Sequence, residues 1–590
     1  MDTQKQYFKL PIYYNEKKRK LNANIIKDLE LVKNANSSAD SSANSSAFPD
    51  MSNNESKSMY DHYLNVETPL AATLVDNISE YYTTDVNFLK DNQKVLKHYV
   101  RLDESRNYKE MIHLWKEIKT DTGFKDKYFY INWKMWDWLN KSEHFLQIMS
   151  VYNMMSPLIS LIVPIIILIV PFFVIRIKGV VLTMDEYIEV LKVVMSNHAI
   201  GKLFTQFNNV STGEKAYLVI SALFYVFSIY QNILVCIRFN ENMRKIHRYL
   251  GDVRDYLDNT IRTMKNYITY AGEMVTHMNF THTLKSNMTT LEGFRDRLYL
   301  ISNYELSNYK KLFEIGSVQK YFYELYQDEQ YNAAIEYSFG FNGYIDCIEG
   351  LQDNISDKKL HMCEYTDNGS KVKISNNYYA ALKDETPIRN DIKLKENLII
   401  TGPNASGKTT ILKSVMLNLI FSQQFGCGFY ESAKIKPFDH IHCYLNIPDT
   451  SGRDSLFQAE ARRCKEIIDC VNENKKETHF GIFDELYSGT NPDEAVVSAT
   501  AFMEYMTKFK NVSCMLTTHY TKVCTNLNNK VRIVNMFMET SKSKLNNTIK
   551  FKYQLKRGIS RVRGAFNILN EMNYPKEILE KTMGRNHSLL

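Results

Sequence analysis

The chain predicts an α/β domain with a parallel sheet in its C-terminal part, preceded by a mostly α-helical core or lever region that contains a transmembrane helical hairpin. Three observations predict it. A strand, a glycine loop and a helix follow one another at 397–419. Two further apolar runs of strand length, 479–485 and 512–519, each end in side chains that carry chemistry. Residues 157–175 and 216–237 contain no charged side chain.

At 590 residues the chain is too long for one core, and two to four domains are expected. Charged residues make up 24% and hydrophobic ones 44%, which is ordinary for a globular protein. The net charge of +7 permits an anionic partner without requiring one. Nine cysteines are scattered with no C-x-x-C pair, so reduced core thiols are expected rather than disulfides or zinc ligands. The N-terminus has no apolar h-region, so no cleaved signal peptide is expected.

In chain order, residues 1–34 form a mixed, basic segment whose Tyr7, Phe8, Leu10 and Ile12 suit a short strand or docking on another domain. Residues 35–58 are Ser/Asn-rich with almost nothing to bury, which predicts a disordered linker. Residues 59–150 read as a helical domain, with Leu70, Leu74, Ile78, Phe88, Leu89, Val95 and Leu96 at helical spacing. Residues 151–239 hold the two apolar helices, joined by a connector at 176–215. Nineteen residues at helical rise span about 28 Å, one hydrocarbon core. Arg176 and Lys178 close the first run. Arg238, Arg244, Lys245 and Arg248 follow the second, which places both ends of the hairpin on the cytosolic side. A buried helix pair in a soluble core is the alternative. Residues 240–360 return to an amphipathic lever, with Met243, Ile246, Leu250, Val253 and Leu257 on one face and Leu312, Phe313, Ile315 and Phe322 continuing the stripe. The texture then changes to short strands, and 361–590 is read as the α/β domain.

The chemistry sits in that last block. Asn397 to Thr410 reads NLIITGPNASGKTT. An apolar strand running into Gly402-x-x-x-x-Gly407-Lys408-Thr409 and then a helix is the context of a phosphate-binding P-loop. Backbone N–H groups of Gly402, Asn404, Ala405, Ser406, Gly407 and Thr410 surround the phosphates, with Pro403, which has no N–H, in the same loop. Lys408 reaches the β- and γ-phosphates and the Thr409 hydroxyl binds Mg2+. ATP and Mg2+ are therefore the expected ligands. The run His479 to Asp484 delivers Asp484 and Glu485 at a strand end, 76 residues beyond Lys408. Asp484 is the second Mg2+ ligand, and Glu485 is the base that orients and deprotonates the attacking water. Val512 to Thr518 ends at His519, a lone strand-end histidine that by itself is more often structural. Asp449 to Glu460, which contains Ser455, is a polar loop that opens a helix.

Taken together, these pieces resemble the MutS family of DNA mismatch-repair ATPases. TGPNASGKTT looks like the family's TGPN-x-x-GKST, SGRDSLFQAE its SG-x-STF-x-x-E, FDELYSGTNPDEA its DE-x-x-RGT-S, and TTHY its ATHY. Close coverage is 370–582, including a closing hairpin and helix at 555–579. The resemblance implies an ABC-type P-loop NTPase fold and a homodimer or paralogue dimer with composite ATP sites. It further implies that His519 senses the γ-phosphate, that Ser455 reaches the partner's ATP in trans, and that the partner is DNA. Ser488 stands where most members have Arg, and Glu460 lies one position late. The spelling is closer to MutS-like proteins with two membrane spans. No Phe-x-Glu mismatch reader precedes residue 150; Phe429-Tyr430-Glu431 spells one inside the ATPase, where a core or surface strand is expected. Tyr378 and Tyr379 stand at the family's adenine pocket. Lys542, Lys544, Lys550, Lys552, Lys556, Arg557, Arg561 and Arg563 suit phosphates, or a solvated hairpin. Two functional readings follow: an ATP-gated clamp on DNA, in mismatch repair or a related transaction, and a membrane-anchored ATPase acting on non-mismatched DNA or on a protein.

Overall fold

The computed structural model describes residues 6–33, 57–102, 108–179, 183–197, 211–301, 313–366, 372–395, 397–445, 447, 455–528, 532–542 and 549–560, with isolated positions from 562 to 581. The 35–58 linker thus falls almost wholly outside the described residues, as do most of the closing helix and the 449–454 loop. The chain divides into two compact units assembled from separated pieces: 1–103 with 262–287 and 336–590, and 104–261 with 288–335. The sequence boundaries at 151, 240 and 361 run along the chain and do not coincide with these divisions.

The N-terminal pieces comprise β1 (Lys18–Lys20), α1 (Ala23–Asp28), α2 (Met59–Leu64), α3 (Pro69–Ile78), β2 (Tyr81–Thr83) and α4 (Val86–His98). Then come α5 (Lys109–Thr120), α6 (Phe124–Lys127), α7 (Glu143–Ile177), α8 (Met184–Asn197), α9 (Thr212–Ala271), α10 (Met278–Leu298), α11 (Ile315–Gln327) and α12 (Glu329–Ser356). The α/β part holds β3 (His361–Tyr365), β4 (Val372–Asn377), β5 (Asn390–Leu394), β6 (Asn397–Thr401), α13 (Lys408–Ser422), β7 (Cys427–Gly428), β8 (Ser432–Ile435) and β9 (His440–Tyr444). It closes with α14 (Leu456–Glu473), β10 (His479–Asp484), α15 (Pro492–Thr507), β11 (Val512–Thr518), α16 (Thr521–Leu527), β12 (Ile533–Lys542) and β13 (Ile549–Arg557).

The main sheet has the order β13-β12-β6-β11-β10-β9. Its pairs from β12 to β9 are parallel and β13 is an antiparallel edge. A second sheet has the order β5-β4-β8-β3-β7, three of its strands preceding β6 in the chain and two following it. All five residues of β6 and all seven of β11 are buried, as expected of strands covered on both faces. On one face α14, α15 and α16 enclose Val471, Phe502, Met503, Leu516 and Leu527. On the other lies α13, which is buried almost all round.

What covers α13 is the N-terminal part of the chain. Tyr63 packs on Phe421 at 4.0 Å between ring centroids and donates to Asn418 Oδ1 at 2.8 Å. Tyr60 donates to Gln424 Oε1 at 2.8 Å, and Gln424 Nε2 returns to the carbonyls of Ile78 and Tyr81. Buried amides are tolerated because every one of these groups has a partner. Phe8, read as docking or strand, docks: its ring meets Tyr337 edge-on at 5.2 Å. The α12 helix comes so close to the end of α2 that a Cβ on Gly350 would lie 1.8 Å from the Leu64 carbonyl oxygen, so only glycine fits. In the Phe-x-Glu triplet, Phe429 and Tyr430 are fully buried core and Glu431 is exposed, in the short link between β7 and β8.

The second unit is a helical assembly with an aromatic centre, where Phe124 stacks on Tyr326 at 4.2 Å and meets Phe322 at 5.3 Å. Glu117 accepts hydrogen bonds from Lys127 (2.7 Å), Lys245 (2.7 Å), Tyr128 (2.9 Å) and Tyr249 (2.5 Å). Burial acts to raise its pKa, but these donors outweigh it and hold the carboxyl well below its usual range. The two apolar helices lie antiparallel in this unit. Cys236 Sγ donates to the Met154 carbonyl (3.2 Å), Ser156 Oγ to that of Asn232 (3.4 Å), and Tyr225 OH to that of Ser160 (3.2 Å). Among the described residues both helices are long and apolar enough to cross a membrane, by length and composition. One placement of the sequence reading is corrected. Phe313 is 77% exposed, because α11 begins only at Ile315 and Phe313 lies ahead of its buried face. Leu312 lies outside the described residues.

Candidate functional site

Strand order explains why distant motifs meet. Strands β6, β11 and β10 are neighbours and parallel, so the loops leaving their C-terminal ends open at one edge of the sheet, where such folds build their sites. Register places Thr401 beside Thr518 and Asp484 beside Thr517.

The loop after β6 curls through two left-handed residues, Ala405 (φ 61°) and Gly407 (φ 88°). Gly407 precedes Lys408, the first residue of α13, so the helix N-terminus faces the loop's concavity. Lys408 is buried; its Nζ donates to the Pro403 carbonyl at 3.2 Å and lies 3.8 Å from Glu485 Oε1. Burial lowers its pKa below the ordinary lysine value, while Glu485 and Asp484 pull the other way. The Ser406 hydroxyl is buried at the cradle and has no hydrogen-bond partner among the described residues. An orphaned hydroxyl, inward-turned backbone and a desolvated ammonium in one loop fit a polyphosphate.

The carboxylates occupy the opposite wall. Thr409 Oγ1 donates to Asp484 Oδ2 at 2.8 Å, and Thr517 Oγ1 holds the other oxygen of Asp484. A threonine hydroxyl and a fixed carboxylate, both oxygen donors, suit a hard divalent cation such as Mg2+. Glu485 leaves the strand in a left-handed conformation (φ 52°) with its N–H donating to the Thr517 carbonyl at 3.0 Å, which turns its side chain toward the loop. His519 Nε2 lies 2.6 Å from Glu485 Oε1 and 3.2 Å from Lys408 Nζ. The His519 contact, against opposing burial, holds the Glu485 pKa below its ordinary value.

Lys408, Thr409, Asp484, Glu485 and His519, each read from the sequence as part of the site, therefore stand together. Gly402, Pro403, Asn404, Ala405, Ser406, Gly407 and Thr410 form the loop and first turn beside them. Ser455 stands apart from this set as the N-cap of α14, where its Oγ accepts from Gln458 N and Gln458 answers with a capping box.

A cavity of about 550 Å³ continues from the loop and is lined by Tyr379, Leu382, Ile388, Asn404 and Tyr553 among others. Its volume is in the range of small-molecule sites. Tyr378 is engaged elsewhere: it donates to the Lys359 carbonyl at 2.7 Å and meets Phe429 edge-on. Of the two rings at the predicted base pocket, Tyr379 is the one left half-exposed on the cavity.

Two contacts escaped the sequence reading. Tyr553, from the edge strand β13, covers Gly407 so closely that a Cβ there would meet its ring at 3.1 Å. Asn390 secures it, donating to the Tyr553 carbonyl (3.0 Å) and accepting from Leu555 N (2.7 Å). Glu460, buried on α14, accepts from Ser488 N (3.1 Å), Ser488 Oγ (2.9 Å) and Gly489 N (3.2 Å). That clamp fixes the turn after Glu485. The departures at Ser488 and Glu460 are thus two halves of one contact. A signal existed in two departures from one pattern, but nothing in the chain order paired them. Of the basic stretch, Lys550, Lys552, Lys556 and Arg557 are exposed on β13, with Lys552 paired to Glu539 at 2.8 Å. The side chains of Lys542, Lys544, Arg561 and Arg563 lie outside the described residues.

Fold and site together define a P-loop ATPase-type domain. Residues 398–589 match the family model of MutS domain V. The chain is also similar to proteins named endonuclease MutS2. With that of Lactococcus lactis subsp. lactis (strain IL1403) it is 24% identical over 433 residues, 68% of this chain and 54% of the relative. With that of Fusobacterium nucleatum subsp. nucleatum it is 32% identical over 201 residues, 33% of this chain and 24% of the relative. With that of Staphylococcus haemolyticus it is 27% identical over 214 residues, 36% of this chain and 26% of the relative. The chain thus spans between a quarter and about half the length of these relatives.

Proposed function

We propose that this chain is a MutS-like ATPase whose nucleotide cycle opens and closes a dimeric clamp on DNA. The observation that carries the reading is the convergence of Lys408, Thr409, Asp484, Glu485 and His519 at the ends of β6, β10 and β11, within a segment that matches MutS domain V. The P-loop N–H groups and Lys408 hold the β- and γ-phosphates of ATP. Mg2+, when bound by Thr409 and Asp484, supplies charge neutralisation at those phosphates. Glu485 takes the proton of a water that attacks the γ-phosphorus. The bond to the β–γ bridging oxygen breaks, and ADP and phosphate leave. His519 donates to the γ-phosphate. Glu485 contacts His519 and faces Lys408; a γ-phosphate competes for His519 and Lys408 and frees the carboxylate to act as base. Ser455, whose hydroxyl proton is not used in the cap, completes a partner's site. Mismatch repair or a related DNA transaction is the process the resemblance suggests, and the exposed lysines of β13 are positioned to meet phosphates.

The test is Glu485→Gln. Hydrolysis falls at least about a hundredfold, as for loss of a general base, while Mg-ATP stays bound, the dimer persists and salt-resistant retention on duplex DNA increases. Unchanged turnover removes Glu485 as the base. Normal trapping without DNA retention at any salt removes DNA as the partner.

One observation favours a second reading, in which the same ATPase is anchored in a membrane with its nucleotide domain on the cytosolic side. Only 22% of the apolar stretch of α7 and 6% of that of α9 is covered by protein. Leu158, Leu161, Phe173, Leu223, Phe224 and Phe227 all lie exposed on this helix pair. In this reading the partner is non-mismatched DNA or a protein.

A further inference from the structure

We infer that His440, Cys470 and His479 form a site for a single transition-metal ion, of the zinc type, at the β9 edge of the main sheet. Among the described residues, their ligand atoms lie within 4.8 Å of one another. Parallel pairing of β9 with β10 sets His440 beside His479, with the rings stacked at 4.7 Å and 13°. Cys470 comes from the last turn of α14, which ends against this edge. Its Sγ is 3.6 Å from His440 Nδ1. Zinc bonds of about 2.0–2.1 Å to nitrogen and about 2.3 Å to sulfur at a tetrahedral angle require nearly that separation.

The groups behind the ligands make the stronger argument. A metal-binding histidine usually gives its second ring N–H to a carboxylate or other acceptor, which fixes ring and tautomer. His440 has that partner: its Nε2 contacts Glu477, which is itself held by Arg19 at 2.7 Å. His479 has one too: its Nδ1 lies 3.1 Å from His442 Nε2, leaving Nε2 free to serve as ligand in place of its present contact with the Asn474 carbonyl at 3.1 Å. Asn474 Nδ2 points at Cys470 Sγ from 3.8 Å. An adjoining cavity of about 200 Å³, lined by His440, His442 and Cys470, provides an approach for the ion and room for a water as fourth ligand. Sequence reading assigned all nine cysteines to core thiols, because they are scattered with no C-x-x-C pair. The ion would rivet the C-terminal end of α14 to the sheet edge, while the N-terminal end of the same helix carries Ser455. The site is independent of the nucleotide reading.

The experiment titrates the purified, chelator-treated full chain with Zn2+, and separately with Co2+, in excess Mg2+ so that the Thr409–Asp484 oxygens are occupied. The expected result is one equivalent of Zn2+ bound with a raised Tm, and a Co2+ adduct with tetrahedral d–d bands and a thiolate charge-transfer band. Cys470→Ser abolishes the charge-transfer band, while nucleotide binding is retained as evidence of folding. Glu477→Gln keeps the ligands but weakens Zn2+ binding about tenfold. Absence of stoichiometric Zn2+ binding overturns the site. So does a charge-transfer band that survives Cys470→Ser.

Discussion

Glu460 is a buried side chain that braces the candidate site from outside it. It satisfies three donors of the turn at Ser488 and Gly489, directly after Glu485, the proposed base. Hydrogen bonds to a charged acceptor contribute more than neutral ones, and removing it strands the donors in the interior. Glu460→Ala should therefore destabilise the domain by about 3 kcal/mol and lower kcat more than it raises KM for ATP. Chemical denaturation together with steady-state ATPase kinetics checks both; a KM-only effect would place Glu460 outside the positioning of the base. The residues that converge at the candidate site were legible in the sequence, because a P-loop, an acid pair and a strand-end histidine each need a fixed neighbourhood of residue types. Glu460 with Ser488 and Tyr553 with Gly407 were not, since each pair is joined only by packing across separate elements.

At the scale of elements, the apolar pair α7 and α9 and the nucleotide strands show different degrees of legibility. Strand boundaries at the site followed from short apolar runs ending in polar residues, and β6, β10 and β11 span 397–401, 479–484 and 512–518. The helix pair was equally visible by composition, and its antiparallel contacts agree with a hairpin. In the anchored reading, a bilayer covers the exposed apolar faces of both helices. Carbonate extraction of cell membranes should leave the chain in the pellet; recovery in the supernatant would refute the anchored reading. The helix α13 carries the opposite lesson. Its Asn418 and Ser422, with Gln423 and Gln424 just past its end, look like a polar surface, yet all are buried, packed against Tyr63, Tyr430, β2 and Tyr60 respectively. Periodicity cannot separate a solvated amide from one paired with a distant segment.

For the molecule as a whole, buried neutral groups set how stability depends on pH. His277 is fully buried, stacked on Phe88 at 5.2 Å with Nε2 3.1 Å from Asn92 Oδ1, and burial pushes its pKa down to about 4. In the unfolded chain the same group titrates near about 6.5. The unfolded state therefore binds the extra proton first, so the His277 contribution is intact above about pH 6.5 and is lost as pH falls toward 4. Tm should drop between pH 7.5 and 5, and His277→Gln should start from a lower Tm but decline less steeply. Parallel declines in the two proteins would show that His277 does not drive the acid sensitivity.

The sequence by itself determined the P-loop and the motifs that follow it, their order and the presence of two long apolar helices. Those properties reside in contiguous residues, where spacing and residue type carry the physical requirement. Only the tertiary structure decided that residues 57–102 cover α13, that Glu460 braces the turn after Glu485, and that β13 lays Tyr553 over Gly407. The histidines and cysteine at the β9 edge belong to the same group. Each joins positions tens to hundreds of residues apart through strand order and side-chain packing, and no local pattern encodes such a meeting.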